Sequence, residues 1–273
     1  MSHFVLEIGV EELPARFLAS LERELHDRFA ALFDEHGLTF DSLTVDATPR
    51  RAVMHVRGLL SATPVREEVA LGPSVRAAYD ADGNPTRAAQ GFARGQGVDV
   101  SALFRQETPK GEYVAVRKTV GGVTASSIIA GAAPSIIASL PFPKRMHWSA
   151  SHFLFARPLR WVVALMDGEI VPFTVADVQS GRMTIGHRVH GRGPFEVSCA
   201  DDFDAVLSEK CGVTVSGAER RRIIVEGGDE LARSVGGHIL WKESLLDEVQ
   251  GLSEHPVPIL GDFDPSFLEL PAV

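Results

Sequence analysis

Phe4-Val-Leu-Glu-Ile-Gly-Val10 runs into Glu11-Glu12-Leu13-Pro14, and apolar residues then recur at Phe17, Leu18, Leu21, Leu25, Phe29, Leu32 and Phe33. The first segment reads as a short strand. The acidic pair and the proline suit the first turn of a helix, where the dipole favours negative charge and a missing N–H costs nothing. Spacings of three and four put the later apolar side chains on one helical face. Gly37 can take the left-handed backbone that ends such a helix. Leu43–Ala47 and Arg51–Leu59 read as strands joined by Thr48-Pro49-Arg50, with Val65–Leu71 as a third. The order β-α-β-β points to an α+β fold.

The pattern continues in kind. Gly72-Pro73 breaks the chain, Thr86–Gly97 reads as a helix and Glu112–Val120 as a strand. Thr124–Leu140 reads as a helix that Pro134 kinks or splits. Pro141–Ser149 is a turn-rich loop. Arg160–Met166 and Ile170–Val175 form a hairpin about Asp167-Gly168, a pair suited to a type I′ turn. Gln179–Gly193 is polar and basic; Asp201–Lys210, Ala218–Val235 and Glu243–Ser253 read as helices, and Val257–Leu260 as a strand. Mixed and antiparallel sheets with packed helices are expected, more helical toward the C-terminus. Three segments follow: a β-α-β-β unit over 1–70, an α+β region with a basic loop over 71–200, and a helical segment over 201–273.

The 273 residues carry a formal charge of −9, which taken whole argues against a basic nucleic-acid binder. The distribution says more. Residues 1–50 hold 4 basic and 10 acidic side chains, net −6; residues 51–200 hold 17 and 11, net +6; residues 201–273 hold 6 and 15, net −9. Cys199 and Cys211 are the only cysteines, too few for a disulfide scaffold, so a reduced cytosolic setting is expected. The N-terminus lacks the apolar run of a signal peptide, and no 18-residue apolar stretch offers a membrane span. The apolar ending Phe267-Leu-Glu-Leu-Pro-Ala-Val273 reads as that of a chain cut short.

Four places invite chemistry. Glu7, Glu11 and Glu12 could act as acid–base groups or hold a metal, but read first as acids compensating a helix terminus. Arg50 and Arg51 follow a turn; they could grip phosphates or form an ion pair with the acidic helix. From Leu140 to Gly193 the chain gathers Lys144, Arg145, Arg157, Arg160, Arg182, Arg188 and Arg192 against only Asp167, Glu169 and Asp177. His147, His152, His187 and His190 lie among them, as do Trp148, Phe153, Phe155 and Trp161. Cations mixed with rings suit single-stranded or looped RNA, or another anionic ligand; otherwise the rings are core and the cations solvated. His187 and His190 have a metal-like spacing, but Gly186 and Val189 argue against one helix face and Arg188 would sit beside the cation, so no metal is expected. GxxxxGK[ST], HExxH and GxSxG are absent, and Gly91-Phe-Ala-Arg-Gly95-Gln-Gly97 lacks the spacing of a dinucleotide fingerprint.

Several segments in this order resemble the β subunit of bacterial glycyl-tRNA synthetase, in its N-terminal portion. They are Leu6-Glu-Ile-Gly-Val-Glu-Glu-Leu-Pro14, Thr48-Pro-Arg-Arg51, Gly72-Pro73, Ala88-Ala-Gln-Gly-Phe-Ala-Arg94 and Lys110-Gly-Glu112. Pro143-Lys-Arg-Met-His-Trp148, Phe155-Ala-Arg-Pro-Leu-Arg-Trp161, Ser180-Gly-Arg182 and Thr184-Ile-Gly-His-Arg188 follow. Ser244-Leu-Leu-Asp-Glu-Val249, Glu254-His-Pro-Val257 and Phe267-Leu-Glu-Leu-Pro271 close the series. His147 and Ser149 stand where the family usually has Arg and Gly, and Val189-His190 replaces its usual apolar or aromatic pair.

The resemblance implies a subunit of glycine–tRNA ligase whose α subunit carries the adenylation site, with glycine, ATP and Mg. It implies that the β subunit binds tRNA(Gly) within a heterotetramer, that members continue into an HD-like and an anticodon-binding domain, and that part of this region is similar to the B3/B4 domain of phenylalanyl-tRNA synthetase. No catalytic residue and no cofactor is expected in this chain itself. Arg50, Arg51, Lys144, Arg145, His147, Arg157, Arg160, Arg182, His187, Arg188 and Arg192 are the expected RNA or partner contacts. The alternatives are a pure assembly module and a hydrolytic editing domain, the latter disfavoured because glycine leaves little need for an editing sieve.

Overall fold

The computed structural model describes residues 1–269. Strand β1 (Ser2–Val10) is buried along almost its whole length, as a strand covered on both faces must be. An irregular turn, Ala15–Phe17, leads into α1 (Leu18–Glu35). The helix buries Leu18, Leu21, Leu25, Phe29, Leu32 and Phe33, the face expected from the spacing, and Gly37 ends it at φ 64°. Glu11 and Glu12 do not open this helix, whose first turn holds no acid. The Glu11 N–H donates to Pro158 O and the Leu13 N–H to Pro49 O, so the segment after β1 is held extended against neighbouring turns before coiling begins. Strands β2 (Ser42–Thr48) and β3 (Arg51–Leu59) follow, and β3 lies antiparallel to β1 with Glu7 opposite Val53 and Gly9 opposite Arg51.

Residues Ala62–Val123 form a unit of their own. It contains β4 (Arg66–Ser74), a short α2 (Val75–Ala78), α3 (Arg87–Gln96), β5 (Phe104–Thr108) and β6 (Gly111–Val120), with sheet order β4-β6-β5. Ala78, Ala89 and Val114 make its small core, with Val75, Tyr79, Phe92 and Leu103 packed against them. The break expected at Gly72-Pro73 is a register shift inside β4, between Leu71 and Ser74. The two ends of the unit meet: the Thr63 N–H donates to Val123 O at 2.9 Å and the Gly122 N–H to Thr63 O at 3.0 Å.

The other unit resumes with α4 (Ala125–Ala138), capped by the Thr124 hydroxyl and holding Pro134 inside it. The expected loop at Pro141–Ser149 contains β7 (Met146–Trp148), which pairs with β8 (Phe153–Phe155). Strand β9 (Leu159–Met166) pairs with β1 on the side away from β3. The expected hairpin exists, but only Asp167 of its turn sits at positive φ (52°). Its second arm is broken into β10 (Glu169–Ile170) and β11 (Thr174–Val175), because Pro172 between them has no N–H to give a ladder. Strand β12 (Val178–Gly181) runs parallel to β9, while β13 (Met183–Ile185) pairs with β14 (Pro194–Glu196). The polar stretch Gln179–Gly193 is therefore partly strand.

Asp201–Lys210 is not one regular helix. It passes from a tight turn at Ala200–Asp202 through α5 (Phe203–Ala205) into a wide π-type turn, Val206–Lys210. Helices α6 (Gly217–Ser234) and α7 (Glu243–Gln250) follow, and Val257–Leu260 is irregular rather than a strand. The last two residues of the Phe267–Pro271 segment lie outside the described residues.

The main sheet has the order β11-β12-β9-β1-β3-β2, with β10 beside β9. One face packs Phe4, Leu6, Ile8, Ala52, Met54 and Val56 beneath α1 and α4. The other face packs Val5, Val53, Trp161, Val163 and Leu165 beneath the cover formed by Val197, Ala200, Phe203, Val206, Leu207, Cys211 and Val213. The fold is α+β with mixed and antiparallel sheets, as expected. The packing units are not consecutive in chain order, unlike the three segments drawn from sequence. Among the described residues no helix is long and apolar enough to cross a membrane.

Candidate functional site: a buried ion cluster and its basic rim

Alternation along β1 and β3 puts His3, Val5, Glu7 and Gly9 on one face with Arg51, Val53 and His55. The apolar middle of this face lies between two polar ends. At one end Arg51 is fully buried between two carboxylates. Its Nη1 donates to Glu7 Oε1 at 2.7 Å, its Nε to Glu254 Oε1 at 2.7 Å, and its Nη2 to the Ile185 carbonyl at 2.8 Å. The Thr184 hydroxyl donates to Glu7 Oε1 at 2.9 Å, and the Thr48 hydroxyl to Glu254 Oε1 at 2.7 Å. Thr48 in turn accepts the backbone N–H groups of Arg50 and Arg51, so the Thr48-Pro49-Arg50 turn is wired into the cluster.

The two carboxylates are not equivalent. Burial raises the Glu7 pKa above the ordinary value, even against the Arg51 charge and the Thr184 hydrogen bond. Its Oε2 is buried without a hydrogen-bond partner among the described residues. Burial acts the same way on Glu254, but Arg51, Thr48 and Arg50 together outweigh it and hold this carboxyl below its ordinary value. The Trp161 indole floors the cluster, with the guanidinium carbons of Arg51 and Arg50 at 5.2 and 5.7 Å from the ring. Gly9 makes room for that ring: a Cβ there would come within 2.0 Å of it. Chemically this is a brace. It ties β1, the β2–β3 turn, β13 and the loop at Glu254 together through one cation.

The family follows from comparison. A family model described as glycyl-tRNA synthetase beta subunit matches residues 4–273. The chain belongs to that family. A glycine–tRNA ligase beta subunit of Nitratidesulfovibrio vulgaris strain Miyazaki F is 58% identical over 271 residues, 99% of this chain and 39% of that protein. One from Oleidesulfovibrio alaskensis is 58% identical over 272 residues, 100% of this chain and 39% of its own. One from Lawsonia intracellularis is 42% identical over 271 residues, again 99% and 39%. The chain thus spans 39% of the length of these relatives.

In this member of the glycyl-tRNA synthetase beta-subunit family, five of the segments that carry the resemblance converge on the brace. Glu7, Thr48 with Arg50 and Arg51, Trp161, Thr184 to Gly186, and Glu254 come from five separate stretches. The burial of Arg51 removes it from the surface set expected from sequence. Arg50 is nearly covered, and its Nη1 donates to Gly186 O at 3.2 Å and lies 3.7 Å from Glu254. Burial lowers its pKa, with Glu254 opposing.

The remaining cations divide into three groups. Arg157 donates to the carbonyls of Glu12 and Ala156, and Arg182 to those of Ser198 and Gly168. Arg188 pairs with Glu11 at 2.6 Å and Glu12 at 2.8 Å, and Arg160 with Glu11 at 3.4 Å. These acids serve the rim, not a helix terminus. Lys144 and Arg145 are exposed beside β7 and have no ion pair among the described residues. Among the described residues, exposed Arg192 donates only to the Arg188 carbonyl. His147 on the same hairpin is exposed and donates from Nδ1 to His152 O at 2.7 Å.

The aromatic side chains of this region point inward. Trp161 and Phe155 are buried, Phe153 stacks on Phe155, and the Trp148 indole N–H donates to Phe155 O at 2.9 Å. Trp161 and Phe155 are thereby closed to stacking, while Trp148 and Phe153 are half-buried. His187, His190 and His255 pack ring to ring, and His187 Nδ1 accepts the N–H groups of Val189 and His190. Burial lowers the His187 pKa, and a neutral ring whose Nδ1 accepts these N–H groups carries its proton on Nε2. Among the described residues no group of three or more His, Cys, Asp or Glu side chains is placed to hold a metal ion. Sequence reasoning missed Glu254 as a member of the site; only its place in Glu254-His-Pro-Val257 marked it.

Proposed function

We propose that this chain is the tRNA-handling front portion of a glycine–tRNA ligase β subunit, acting in the cytoplasm with an α subunit in a heterotetramer. The α subunit activates glycine with ATP and Mg, and the β subunit holds tRNA(Gly) for its active site. The family match over residues 4–273 carries the assignment to glycine–tRNA ligase. The observation that favours RNA contact is the exposed cationic edge of Lys144 and Arg145, without an ion pair among the described residues, beside the β7–β8 hairpin of a chain with net charge −9. A cation with no internal carboxylate is free to displace counterions from phosphates, whereas Arg188 and Arg160 are already paired.

The test replaces Lys144, Arg145 and Arg192 together by Ala in the αβ assembly. Affinity for tRNA(Gly) is measured at two salt concentrations. For every phosphate that the variant no longer neutralises, the slope of log affinity against log salt should fall by about 0.7–0.9. A total reduction of roughly 2 is expected if most of the three side chains touch the backbone. An unchanged affinity and slope would refute this part of the proposal.

A further inference from the structure

The opposite end of the same sheet face holds four titratable side chains in a row. His3 Nδ1 lies 2.6 Å from Asp201 Oδ1, His3 Nε2 lies 3.0 Å from His55 Nδ1, and His55 Nε2 lies 3.1 Å from Asp204 Oδ1. His3 and His55 come from β1 and β3, and both aspartates come from the cover at Ala200–Ala205. An ionised carboxylate can only accept, so His3 Nδ1 and His55 Nε2 must each carry a proton. The contact between the rings needs one proton for its two nitrogens. Three protons on two imidazoles make one positive charge, shared by the pair.

Other occupancies break the row. With two protons, either two lone pairs face each other at 3.0 Å or one aspartate faces a bare nitrogen. With four, two N–H groups collide in the middle and two cations share one site beside Arg57. Arg57 lies 3.7 Å from Asp201 and 3.8 Å from Asp204, so it favours the ionised aspartates and opposes a second imidazolium charge. The remaining facing groups are fixed. Asp167 Oδ1 accepts the His3 backbone N–H at 2.8 Å, and Phe203 meets His55 edge-on at 5.7 Å. Burial, reinforced by Arg57 and His55 against the hydrogen bond and charge of Asp201, holds His3 below the ordinary imidazole value. The His55 hydrogen bond keeps Asp204 ionised.

We propose that the Asp201–His3–His55–Asp204 row is a one-proton latch. It fastens the cover at Ala200–Ala205 to the sheet while two imidazoles share a single charge, and it loosens the cover when that proton leaves or a second arrives. The cover carries Ala200, Phe203, Val206 and Leu207 onto the sheet. Its far end accepts the His187 N–H at Cys211 O, beside the brace. Loosening the latch therefore reaches the loop that bears Arg188 and Arg192.

Two measurements on the full chain test this. The first follows imidazole nitrogen-15 shifts against pH. His3 Nδ1 and His55 Nε2 should stay protonated through the middle range, while His3 Nε2 and His55 Nδ1 share one averaged proton. Two rings that titrate independently, with no shared proton at any pH, would overturn the proposal. The second measures amide-exchange protection of Ala200–Leu207, corrected for the intrinsic pH dependence of exchange. Protection should peak at intermediate pH and fall about tenfold on both sides, the scale of one charged hydrogen bond. His55→Phe, which retains a ring against Phe203, should flatten that profile. A flat or one-sided wild-type profile, or a peak that persists in His55→Phe, would also overturn it, and the nitrogen shifts decide if the variant fails to fold.

Discussion

Glu254 and Glu7 share Arg51 unequally, and the difference gives opposite responses to acid. Glu254 sits below its ordinary value in the folded chain, so its contribution is complete above its unfolded value and is lost as pH falls through the folded one. Glu7 sits above its ordinary value, so its ionised form costs stability at neutral pH and the cost is relieved on acidification. At neutral pH Glu254→Gln should cost about 3 kcal/mol or more, the scale of breaking a buried pair. Glu7→Gln should cost distinctly less, because one of its oxygens already lacks a partner. Denaturant unfolding at neutral and acidic pH checks both, and the Glu254→Gln deficit should shrink in acid. Little of this pairing is legible in the sequence. Arg51 reads as a cation in a turn, and nothing local to it announces a carboxylate 203 residues further on. Glu7 reads together with Glu11 and Glu12, although its odd place in β1 puts it on the face of Val5 and not beside a helix.

Helices and strands are legible where they satisfy themselves. The α1 pattern follows from periodicity, its stop from Gly37 and the central strand β1 from a short apolar run, because apolar placement decides burial whatever the partner is. Short elements, with too few residues to show a period, are not. Strand β5, the β7–β8 hairpin and the β13–β14 pair are three to five residues long and exist through their partners. Helix α6 shows the same dependence. Arg220 is fully buried near its start and ion-pairs with no carboxylate among the described residues. It donates to the carbonyls of Gln250, Thr214, Val215 and Ala47, joining α6 to the end of α7 and to β2. Arg220→Met keeps the bulk and removes every donor, leaving carbonyls short of partners at about 1–3 kcal/mol each where no water enters. The variant should lose at least about 3 kcal/mol on that scale. Amide exchange should rise first in α6 and α7, while the β1–β3 ladder keeps its protection.

At the scale of the whole chain, the charge distribution read from sequence sets the rim without locating it. The positive middle spreads over carbonyl clamps, ion pairs with Glu11 and Glu12, a buried brace and a few cations without an ion pair among the described residues, and net charge cannot separate these. Domain limits are hidden for a related reason. Ala62–Val123 interrupts the other unit between β3 and α4, and composition does not change at either edge. Its ends meet at Thr63 and Val123, and on the other side the Ala125 N–H reaches Ser61 O at 2.9 Å. Replacing residues 64–121 by a short glycine–serine turn should therefore leave the larger unit folded, with one cooperative thermal transition and a midpoint within about 5 °C of the parent, a shift on the order of 1–2 kcal/mol. Loss of that transition would show that the larger unit depends on the insertion.

The position of β1 has a consequence in time. Its two neighbours, β3 and β9, are made long after it, and β9 ends at Met166. At roughly 5–20 residues per second, ribosomes leave one edge of this apolar strand open for on the order of 10–30 seconds. During that wait Glu7 is an ionised, water-exposed charge in the middle of a strand that otherwise invites pairing with another nascent chain. The carboxylate that is strained in the finished protein is thus a guard on the unfinished one.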